Sequence, residues 1–342
     1  MDTEIKRVAV VIVNWEGWQD TIVCLESLDE LTIRPTQVIL VDNGSSDASA
    51  EHLADWLQKH GKIVVDYGSA EALVVDNGLD TTYVLLRLRT NCGFAAANNA
   101  GLRHLEASGQ HIDYYWLLNN DTRVDKNALA RLLERSSHPD SVGIYGSVIL
   151  DEREPHVVQA LGGAHYGAFT AQARHVGGGR ACTEVWNSAD IERQLSYIYG
   201  ASMFVSHEFV AQVGLMCEDY FLYDEELDWA LRGKARGFTV GFADSSIVYH
   251  KGGASFARVS GADRSYYVSD YYLVRGAVVA TWRWYPWALP SVLAMRWREL
   301  LVRLFHGQRL SARATALALL VPWRLLLPDD LRALVEGSRA DV

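Results

Sequence analysis

The first third of the chain alternates short, continuously apolar runs with longer amphipathic stretches. The first run, at residues 8–15, is rich in β-branched side chains, which is typical of a strand buried on both faces. Three similar runs follow, and they end at residues 42–47, 91 and 119–121. Helical periodicity occupies residues 18–30, 48–59 and 93–108, and an amphipathic helix follows residue 121. This order predicts right-handed βαβ units around a mainly parallel sheet.

The pattern is less regular in the rest of the chain. Residues 61–82 exceed the usual length of a connection, which predicts a surface insertion such as a hairpin. Glycines accumulate between residues 141 and 200, which indicates loops and short strands. Residues 196–206 and 238–250 predict two further strands, and a charged helix starts between them near Asp224.

The C-terminal segment differs in kind from the rest. Residues 271–327 contain eight arginines, five of the eleven tryptophans, no lysine and a single acidic residue, Glu299. Arginine-rich helices with tryptophan at the apolar border suit the interface of an anionic membrane. A helical cap packed on the core, or an oligomer contact with solvated arginines, is the alternative, and the pattern leaves both open.

Composition excludes several classes of protein. The 342 residues carry a net charge of −10, which argues against general binding of nucleic acid. The four cysteines are scattered without a CxxC pair or zinc spacing, which favours reduced thiols in a cytosolic protein. The first residues do not resemble a secretory signal, and no uncharged apolar run reaches the roughly 18 residues that span a bilayer. We therefore expect a cytoplasmic protein, with the inner face of the cytoplasmic membrane as the place of any membrane contact.

Short polar side chains follow each of the four predicted strands. They favour turns and helix caps, but parallel strands end at one sheet edge, where a single crevice would collect all four clusters. Four clusters are more than turns require, and the carboxylate of Asp121 predicts a divalent cation there. The clusters contain Asn14 and Glu16; Asp42, Asn43 and Asp47; Asn91, Gly93 and Asn98; and Asn119, Asn120 and Asp121.

Five spaced motifs resemble those of family-2 glycosyltransferases, most closely the bacterial rhamnosyltransferase-like branch. They read VAVVIVNWEG, VILVDNGSSDAS, TNCGFAAANNAGL, WLLNNDT and YFLYDEELDWALRGKARG, and the resemblance covers residues 8 to about 255. It implies an α/β protein of GT-A type, with a Rossmann-like, mostly parallel sheet flanked by helices. The catalytic domain would span residues 1–265, with a nucleotide-sugar half to about 125 and an acceptor half at 126–265. Residues 266–342 would form a basic, tryptophan-rich helical extension.

The resemblance also implies residues that bind the nucleotide sugar. Asp42 would bond the imide N–H of uracil or thymine, and Asn14 and Glu16 would flank base and ribose. Gly93 would let the backbone approach the nucleotide closely, and Asn98 would cap or contact it. The same site is expected to include Asn43, Asp47, Asn91, Asn119 and Asn120. The small residues Gly200, Ala201 and Ser202 resemble the family's acceptor-site turn.

A metal site is implied where the family has its Asp-x-Asp signature. Asp121 would bind Mg²⁺ or Mn²⁺ bridging the two phosphates. Asn119 stands in place of the first carboxylate, so much of the metal affinity would come from the nucleotide. His250 is a candidate second ligand, with a structural role as the alternative, and Lys251 and Arg258 are alternative contacts for the diphosphate.

The candidate catalytic base lies in EELD, residues 225–228, which corresponds to the family's Glu-Asp-x-Asp motif. Glu226 would deprotonate the acceptor hydroxyl, with Glu225 and Asp228 in support. Glutamate stands where aspartate is usual, so the choice between Glu226 and Asp228 stays open, with Glu226 preferred. Acid enrichment in the first turn of a helix, with an Asp228–Arg232 pair, is the structural alternative.

Together these implications predict an inverting glycosyltransferase. The favoured donor is dTDP-L-rhamnose, with UDP-hexose or UDP-galactofuranose as alternatives. The acceptor would be a glycan, in particular one carried on a polyprenyl lipid, in assembly of a bacterial surface polysaccharide or cell wall. A non-catalytic nucleotide- or glycan-binding protein is the alternative of another class. A nucleotidyltransferase is disfavoured because residues 14–20 lack a glycine-rich loop with lysine or arginine.

Overall fold

The computed structural model describes residues 6–60, 65–66, 81–137, 141–252 and 254–320, and of residues 65–66 and 254–266 the backbone alone. The strands are β1 Val8–Asn14, β2 Gln37–Asp42, β3 Val65–Asp66, β4 Thr82–Arg87, β5 Tyr114–Asn119, β6 Thr122–Val124, β7 Val142–Asp151, β8 Val158–Leu161, β9 Gly163–Gly167, β10 Gln172–His175, β11 Tyr197–Ile198, β12 Ser202–Ser206 and β13 Thr239–His250. The helices are α1 Trp18–Asp29, α2 Ser49–Lys59, α3 Phe94–Ala107, α4 Ala128–Ser136, α5 Ser188–Gln194, α6 His207–Val213, α7 Glu225–Lys234, α8 Ala254–Trp284, α9 Leu289–Phe305 and α10 Arg309–Leu320.

The main sheet has the strand order β3-β4-β2-β1-β5-β12-β7-β13-β6, and β8 pairs with β7. Strands β4, β2, β1 and β5 are parallel, as the sequence predicts, so their carboxyl ends share one edge. Beyond β5 the sheet is mixed, because β12 runs antiparallel to both β5 and β7. A small second sheet has the order β10-β9-β11.

Helices cover both faces of the main sheet, and the alternation along β1 shows how. Val8, Val10 and Ile12 belong to the core cluster that contains the apolar faces of α1, α2 and α4. Ala9 and Val11 belong to the cluster on the other face, which includes side chains of α3 and α6. All five side chains are at most 2% exposed. The continuous apolar run is therefore a doubly covered strand, as predicted.

Several predicted elements differ from the structure. The strand predicted at 196–206 is two strands in two sheets: β11 pairs with β9 and β12 with β5, and the chain turns between them at Gly200 and Ala201. The helix predicted after residue 121 begins only at Ala128, because β6 first returns to pair with β13. The insertion predicted at 61–82 lies largely outside the described residues, and Val65–Asp66 within it pairs parallel with β4.

The C-terminal helices pack on the rest of the protein. Helix α8 runs unbroken from Ala254 to Trp284, so the boundary expected between residues 265 and 266 falls inside one helix. Ala277 and Ala280 of α8 and Val292 of α9 share a buried cluster with Leu227 of α7. Of the helices in the described part of the chain, none has the length and apolarity that crossing a membrane would need.

Candidate functional site

A cavity of about 310 Å³ opens at the carboxyl edge of the parallel strands. It collects side chains from the ends of β1, β2, β4, β5 and β13 and from the segment that leads into α7. Its lining residues are Val13, Trp15, Asn43, Asn91, Gly93, Phe94, Asn119, Asn120, Asp121, Tyr199, Gly200, Ala201, Phe221, Leu222, Tyr223, Glu225, Glu226 and His250.

A buried amide network supports the wall behind the ends of β1, β2 and β5. The Asn14 amide donates to Asp42 Oδ1 at 2.8 Å, and Asn14 Oδ1 accepts from the hydroxyl of Thr21 at 2.8 Å. Asn120 Nδ2 in turn donates to Thr21 Oγ1 at 3.1 Å. Both Asp42 oxygens also accept from Ser45, and burial raises the pKa of the Asp42 carboxyl despite these bonds. Neither Asn14 nor Asp42 lines the cavity, so in this structure they hold its wall in shape.

Asn43 and Asn91 join the loops after β2 and β4. Asn43 Nδ2 donates to Asn91 Oδ1 at 2.8 Å, and that oxygen also accepts from the backbone N–H of Gly93 at 2.9 Å. Asn43 Oδ1 accepts from the backbone N–H of Cys92 at 3.0 Å. Both amides are at most 7% exposed and still reach the cavity wall. They can present amide edges to a ligand while fixing the loops.

Glycine is required at position 93 for a reason that the sequence did not reveal. Gly93 has φ +87°, and a Cβ there would lie 2.4 Å from the backbone oxygen of Phe221. That oxygen accepts from the backbone N–H of Phe94 at 2.8 Å, which ties the start of α3 to the segment before α7. The glycine therefore permits an approach between two chain segments that both line the cavity.

Asp121 and His250 face each other at the cavity wall. Asp121 Oδ1 lies 3.2 Å from His250 Nε2, and both residues are at most 8% exposed. Burial alone would raise the pKa of Asp121, but the hydrogen bond and charge of His250, with Lys251, hold it below its usual range. Lys251 itself is paired with Asp20 at 2.5 Å.

The orientation of His250 suits a metal ligand. Gln159 Nε2 donates to Asp151 and to the backbone oxygen of His250, so Gln159 Oε1 must accept from His250 Nδ1, 2.9 Å away. This bond accounts for the proton on Nδ1 and turns Nε2 towards Asp121. Two acceptors at that distance need a proton or a cation between them. Imidazole and carboxylate are ligands that fit Mn²⁺.

The protein supplies only part of a coordination shell. No group of three or more His, Cys, Asp or Glu side chains placed to hold a metal occurs among the described residues. The amide of Asn119 is a further polar group beside the pair, with its Nδ2 3.5 Å from His250 Nε2. A divalent cation held by one carboxylate and one imidazole takes its other ligands from phosphate and water.

Glu226 reaches the cavity through a gap left by glycine. A Cβ at Gly200 would lie 2.3 Å from Glu226 Oε1, and the backbone N–H of Gly200 donates to this carboxylate. Burial, reinforced by the charge of Asp224, raises the pKa of Glu226 to about 7. A carboxylate with such a pKa can accept a proton near neutral pH.

Glu225 and Asp228 differ in their surroundings. Glu225 lines the cavity, is 2% exposed, and its Oε2 has no hydrogen-bond partner among the described residues. Burial, then the neighbouring Glu226 charge, raises its pKa well above the usual value. Asp228 is fully buried away from the cavity, where it pairs with Arg232 at 2.8 Å and accepts from Trp284 Nε1 at 2.8 Å. This placement favours Glu226 over Asp228 as the proton acceptor.

Four other expected site residues lie away from the cavity. Asn98 is 1% exposed and donates to the backbone oxygen of Phe94 inside α3. Ser202 is buried and accepts from Trp116 Nε1. Glu16 and Asp47 are engaged in the loop after β2, where Glu16 accepts from Ser46 and Asp47 from Ser49. Some short polar side chains at strand ends line the cavity, and others support its walls through hydrogen bonds. The spacing of these residues in the sequence does not show which is which.

Sequence reasoning missed the aromatic part of the cavity. Aromatic rings provide much of its apolar wall, and the residues are Trp15, Phe94, Tyr199, Phe221 and Tyr223. Trp15 directly follows Asn14, and Phe94 directly follows Gly93, so proximity to the polar clusters was the available signal. A flat apolar wall beside amide and carboxylate groups suits a ligand with rings and phosphates.

Comparisons with known proteins bear on this arrangement. Residues 9–163 match the model of the family described as Glycosyl transferase family 2, a range that includes Asp121 and ends before Glu226 and His250. A similar curated protein is N-acetylglucosaminyl-diphospho-decaprenol L-rhamnosyltransferase of Mycobacterium tuberculosis. It is 24% identical over 305 residues, which cover 82% of this chain and 87% of that protein.

Solved glycosyltransferases share the fold. Mannosyltransferase PcManGT from Pyrobaculum calidifontis, in complex with GDP-Man and Mn²⁺, has a TM-score of 0.54 and 16% identity, with 94% of this chain and 83% of that chain covered. GalNAc-T7 with UDP, GalNAc and Mn²⁺ has a TM-score of 0.55 and 16% identity, with 81% and 51% covered. These likenesses support the GT-A architecture that the sequence motifs imply.

Proposed function

We propose that this chain, which has the GT-A fold, is a family-2 glycosyltransferase that transfers L-rhamnose from dTDP-L-rhamnose, with inversion, to a hydroxyl of a lipid-linked glycan. One observation carries the proposal: a single cavity holds the Asp121–His250 pair and, on the segment leading into α7, the carboxylate of Glu226. The choice of donor and acceptor draws on the mycobacterial relative, which is named as an L-rhamnosyltransferase of N-acetylglucosaminyl-diphospho-decaprenol. UDP-hexose and UDP-galactofuranose are the alternative donors.

Each group in the cavity has a role in this reaction. Glu226, with a pKa raised to about 7, accepts the proton of the acceptor hydroxyl as that oxygen attacks the anomeric carbon. Asp121 and His250 would hold Mg²⁺ or Mn²⁺, which neutralises the departing nucleoside diphosphate when bound. A base and a cation suffice for a single displacement, so no nucleophilic side chain is needed.

The nucleotide is expected along the ends of β1, β2 and β4. Asn43, Asn91 and the ring of Trp15 line that side of the cavity, and Asp42 with Asn14 holds its wall. The acceptor would enter between Gly200, Ala201 and the segment before α7. Exclusion of water by the aromatic wall favours transfer to a sugar hydroxyl over hydrolysis.

A panel of nucleotide sugars with Mn²⁺ or Mg²⁺, read by thermal shift and slow hydrolysis, tests the donor. Selective, metal-dependent stabilisation and hydrolysis of dTDP-rhamnose supports the proposal. Preference for UDP sugars would retain the mechanism and change the donor. Absence of binding to every nucleotide sugar would overturn the site.

The variant Glu226→Gln separates an enzyme from a non-catalytic binding protein. We expect nucleotide affinity to persist while turnover falls by about 10²–10⁴-fold, the usual contribution of a general base. Asp228→Asn is the comparison variant: Asp228 lies outside the cavity and only supports the start of α7 through Trp284, so its loss of turnover should be the smaller of the two. A larger loss of kcat in Asp228→Asn than in Glu226→Gln would move the base to Asp228. Binding without turnover in the unaltered protein would favour the non-catalytic alternative.

The C-terminal extension offers a surface for the membrane that would carry such an acceptor. We define the α9 stripe as Trp297, Leu301, Leu304 and Phe305, which recur at helical spacing on one face and are 44–87% exposed. Arg298 within α9 and Arg309 at the start of α10 are exposed and form no ion pair with any described residue, and Glu299 is already paired with Arg296 and Arg303. An apolar stripe and unpaired cations on the same extension fit anionic lipid at the cytoplasmic face.

Sedimentation with vesicles tests this surface. We expect binding to vesicles containing anionic phospholipid, weakening with salt, and little binding to purely zwitterionic ones. Leu301→Asp should abolish it, whereas Val185→Asp, at a residue 94% exposed outside the extension, should not. Self-association that is lost in Leu301→Asp, without vesicle binding, would instead assign the stripe to a homo-oligomer.

A further inference from the structure

The turn before α7 has an unfavourable backbone conformation. Tyr223 and Asp224 have φ values of +70° and +68°, the left-handed region that favours glycine. Such residues cost roughly 1–3 kcal/mol each and persist only where the surrounding structure imposes them. Glu225 and Glu226 follow directly and line the cavity. We refer to residues 220–224 as the α7 entry turn.

Helix α8 lies against this turn at a glycine. A Cβ at Gly276 would lie 2.6 Å from Asp224 Oδ2 and 3.2 Å from the backbone oxygen of Tyr223. Glycine inside a helix costs about 1 kcal/mol relative to alanine. The close approach of the turn is therefore the physical reason for glycine at this position of α8.

Contacts on both sides of Gly276 extend the attachment. The ring of Tyr272 stacks on Phe221, with centroids 4.7 Å apart and planes at 18°. One helical turn beyond Ala280, Trp284 Nε1 donates to Asp228 Oδ1 at 2.8 Å. Arg283 bonds Asp219 at 2.8 Å, just before the turn. Helix α8 thus holds the chain before, within and after the entry turn.

Charge on the neighbouring helix acts on the same turn. Burial raises the pKa of Asp224 to about 7, and Arg296 of α9 is the cation that opposes the shift. Arg296 is itself anchored, because it donates to Glu299 and to the backbone oxygen of Ala171. The extension therefore contacts the turn through both its packing and its charge.

We propose that α8 is a positioning element for the reaction, which holds the α7 entry turn through Gly276 and the first turn of α7 through Trp284, and so sets where Glu226 stands in the cavity. This inference rests on the proposed role of Glu226 as base. It gives the extension a part in turnover that is separate from any contact with a membrane. Neither Gly276 nor Trp284 lines the cavity, so Gly276 acts through the entry turn and Trp284 through Asp228 of α7.

The variant Gly276→Ala tests the proposal. The added methyl group favours the helix, so the melting temperature should stay unchanged or rise if only helix propensity matters. If α8 positions Glu226, kcat should fall at least tenfold in this variant while KM for the donor changes less than twofold. Amide hydrogen exchange in peptides covering residues 217–229 should accelerate, while the rest of the sheet stays protected. Leu273→Ala, at a 45% exposed position of α8, is the control and should change neither.

Two further variants keep the test decisive if Gly276→Ala folds poorly. In an Asp224→Gly background the added Cβ loses its nearest neighbour, so Gly276→Ala should have a much smaller effect on kcat than in the native background. Trp284→Phe keeps the ring and removes the donor to Asp228, and should lower kcat more than it changes donor KM.

Unchanged kcat and exchange in both Gly276→Ala and Trp284→Phe would overturn the proposal, as would effects that simply add in the Asp224→Gly background. If the unaltered protein turns over no nucleotide sugar, the proposed function fails. Exchange at residues 217–229 then still decides whether α8 holds the turn.

Discussion

Single side chains around the cavity have either a proposed chemical role or a supporting role, and contact with the cavity, not burial, separates the two. Asp121, His250 and Glu226 reach the cavity, whereas Asn14 and Asp42 bond each other behind its wall. All five are short or medium polar residues at the ends of strands or the start of a helix. What distinguishes them is the direction of the side chain, which the local backbone sets.

At Glu225 the buried carboxyl should make stability depend on pH. Its pKa is raised in the folded state, so the unfolded chain binds fewer protons and stability is lost as pH rises above the ordinary carboxyl range. Glu225→Gln removes this loss. We expect the variant to be more stable than the unaltered protein at pH 8, by about 1 kcal/mol. The difference should shrink at pH 5, as thermal melts at both values would measure.

If Glu225→Gln stabilised the protein no more at pH 8 than at pH 5, that result would contradict a raised pKa at Glu225. Glu51→Gln serves as the control, because this glutamate is exposed on α2 and pairs with Arg87 at the surface. Its effect on the melting temperature should be small at both pH values.

Because Gly200 has no side chain, it leaves the space that the carboxylate of Glu226 occupies. In Gly200→Ala the new Cβ would meet Glu226 Oε1 at 2.3 Å, so the carboxylate must move. We expect kcat to fall by about 10²-fold, the order of loss that follows a displacement of about 1 Å. Affinity for the nucleoside diphosphate, measured by calorimetry, should change little because its ligands lie elsewhere. Equal losses in kcat and affinity would show a collapsed cavity instead.

At the scale of elements, the carboxyl ends of β4, β2, β1 and β5 lie in one row at the edge of the main sheet, and helices pack on both faces of this sheet. The packing of α3 on β1 depends on a small residue, since a Cβ at Gly101 would lie 2.6 Å from Val11 Cγ1. The switch from parallel to mixed pairing at β12 creates the turn at Gly200 and Ala201. The entry turn of α7 then approaches that turn from the side of the extension.

Gly101 lies at the contact between α3 and β1, and replacing it should lower stability although helix propensity alone would raise it. Gly101→Ala should favour the helix by about 1 kcal/mol but overpack against Val11 at a cost of roughly 1–3 kcal/mol. We expect net destabilisation in urea unfolding. Adding Val11→Ala should remove the clash, so the glycine change should be less harmful there than alone. Additive effects would show that the helix had simply shifted.

At the scale of the whole molecule, the catalytic cavity depends on segments far apart in the chain. Asp121 follows β5, His250 ends β13, and Glu226 begins α7, while α8 supports the last of these from behind. The matched family range ends at residue 163, so two of the three proposed reacting groups lie beyond it. Ligand binding at this junction should therefore stabilise the fold as a whole.

Metal and nucleotide should stabilise the protein together more than separately. The protein offers one carboxylate and one imidazole, so we expect a small melting shift with Mn²⁺ alone and a larger one with Mn²⁺ and dTDP or UDP. Saturation at 100 times Kd corresponds to about 2.7 kcal/mol. Asp121→Asn should remove the metal-dependent part and leave any metal-independent nucleotide shift. A full shift in that variant would place the cation elsewhere.

The sequence by itself determined the parallel half of the fold. Continuous apolar runs and helical periodicity are local patterns, and their physical meaning, burial on two faces or one, does not depend on distant residues. The strands β1, β2, β4 and β5 are therefore where the pattern predicts, and the motifs correctly imply the GT-A fold. The clustering of polar strand ends at one edge follows from the same topology.

Only the tertiary structure decided which polar residues face the cavity and why particular glycines are needed. Asn98 points into its own helix, Gly93 makes room for Phe221, and Gly200 makes room for Glu226. Each of these facts depends on a partner distant in sequence, so no local pattern encodes it. The same holds for α8, because its arginines and tryptophans left open whether it lies at a membrane, packs on the core as a cap or forms an oligomer contact. Its packing on the α7 entry turn became visible only once the chain had brought residues 220–228 and 269–284 together.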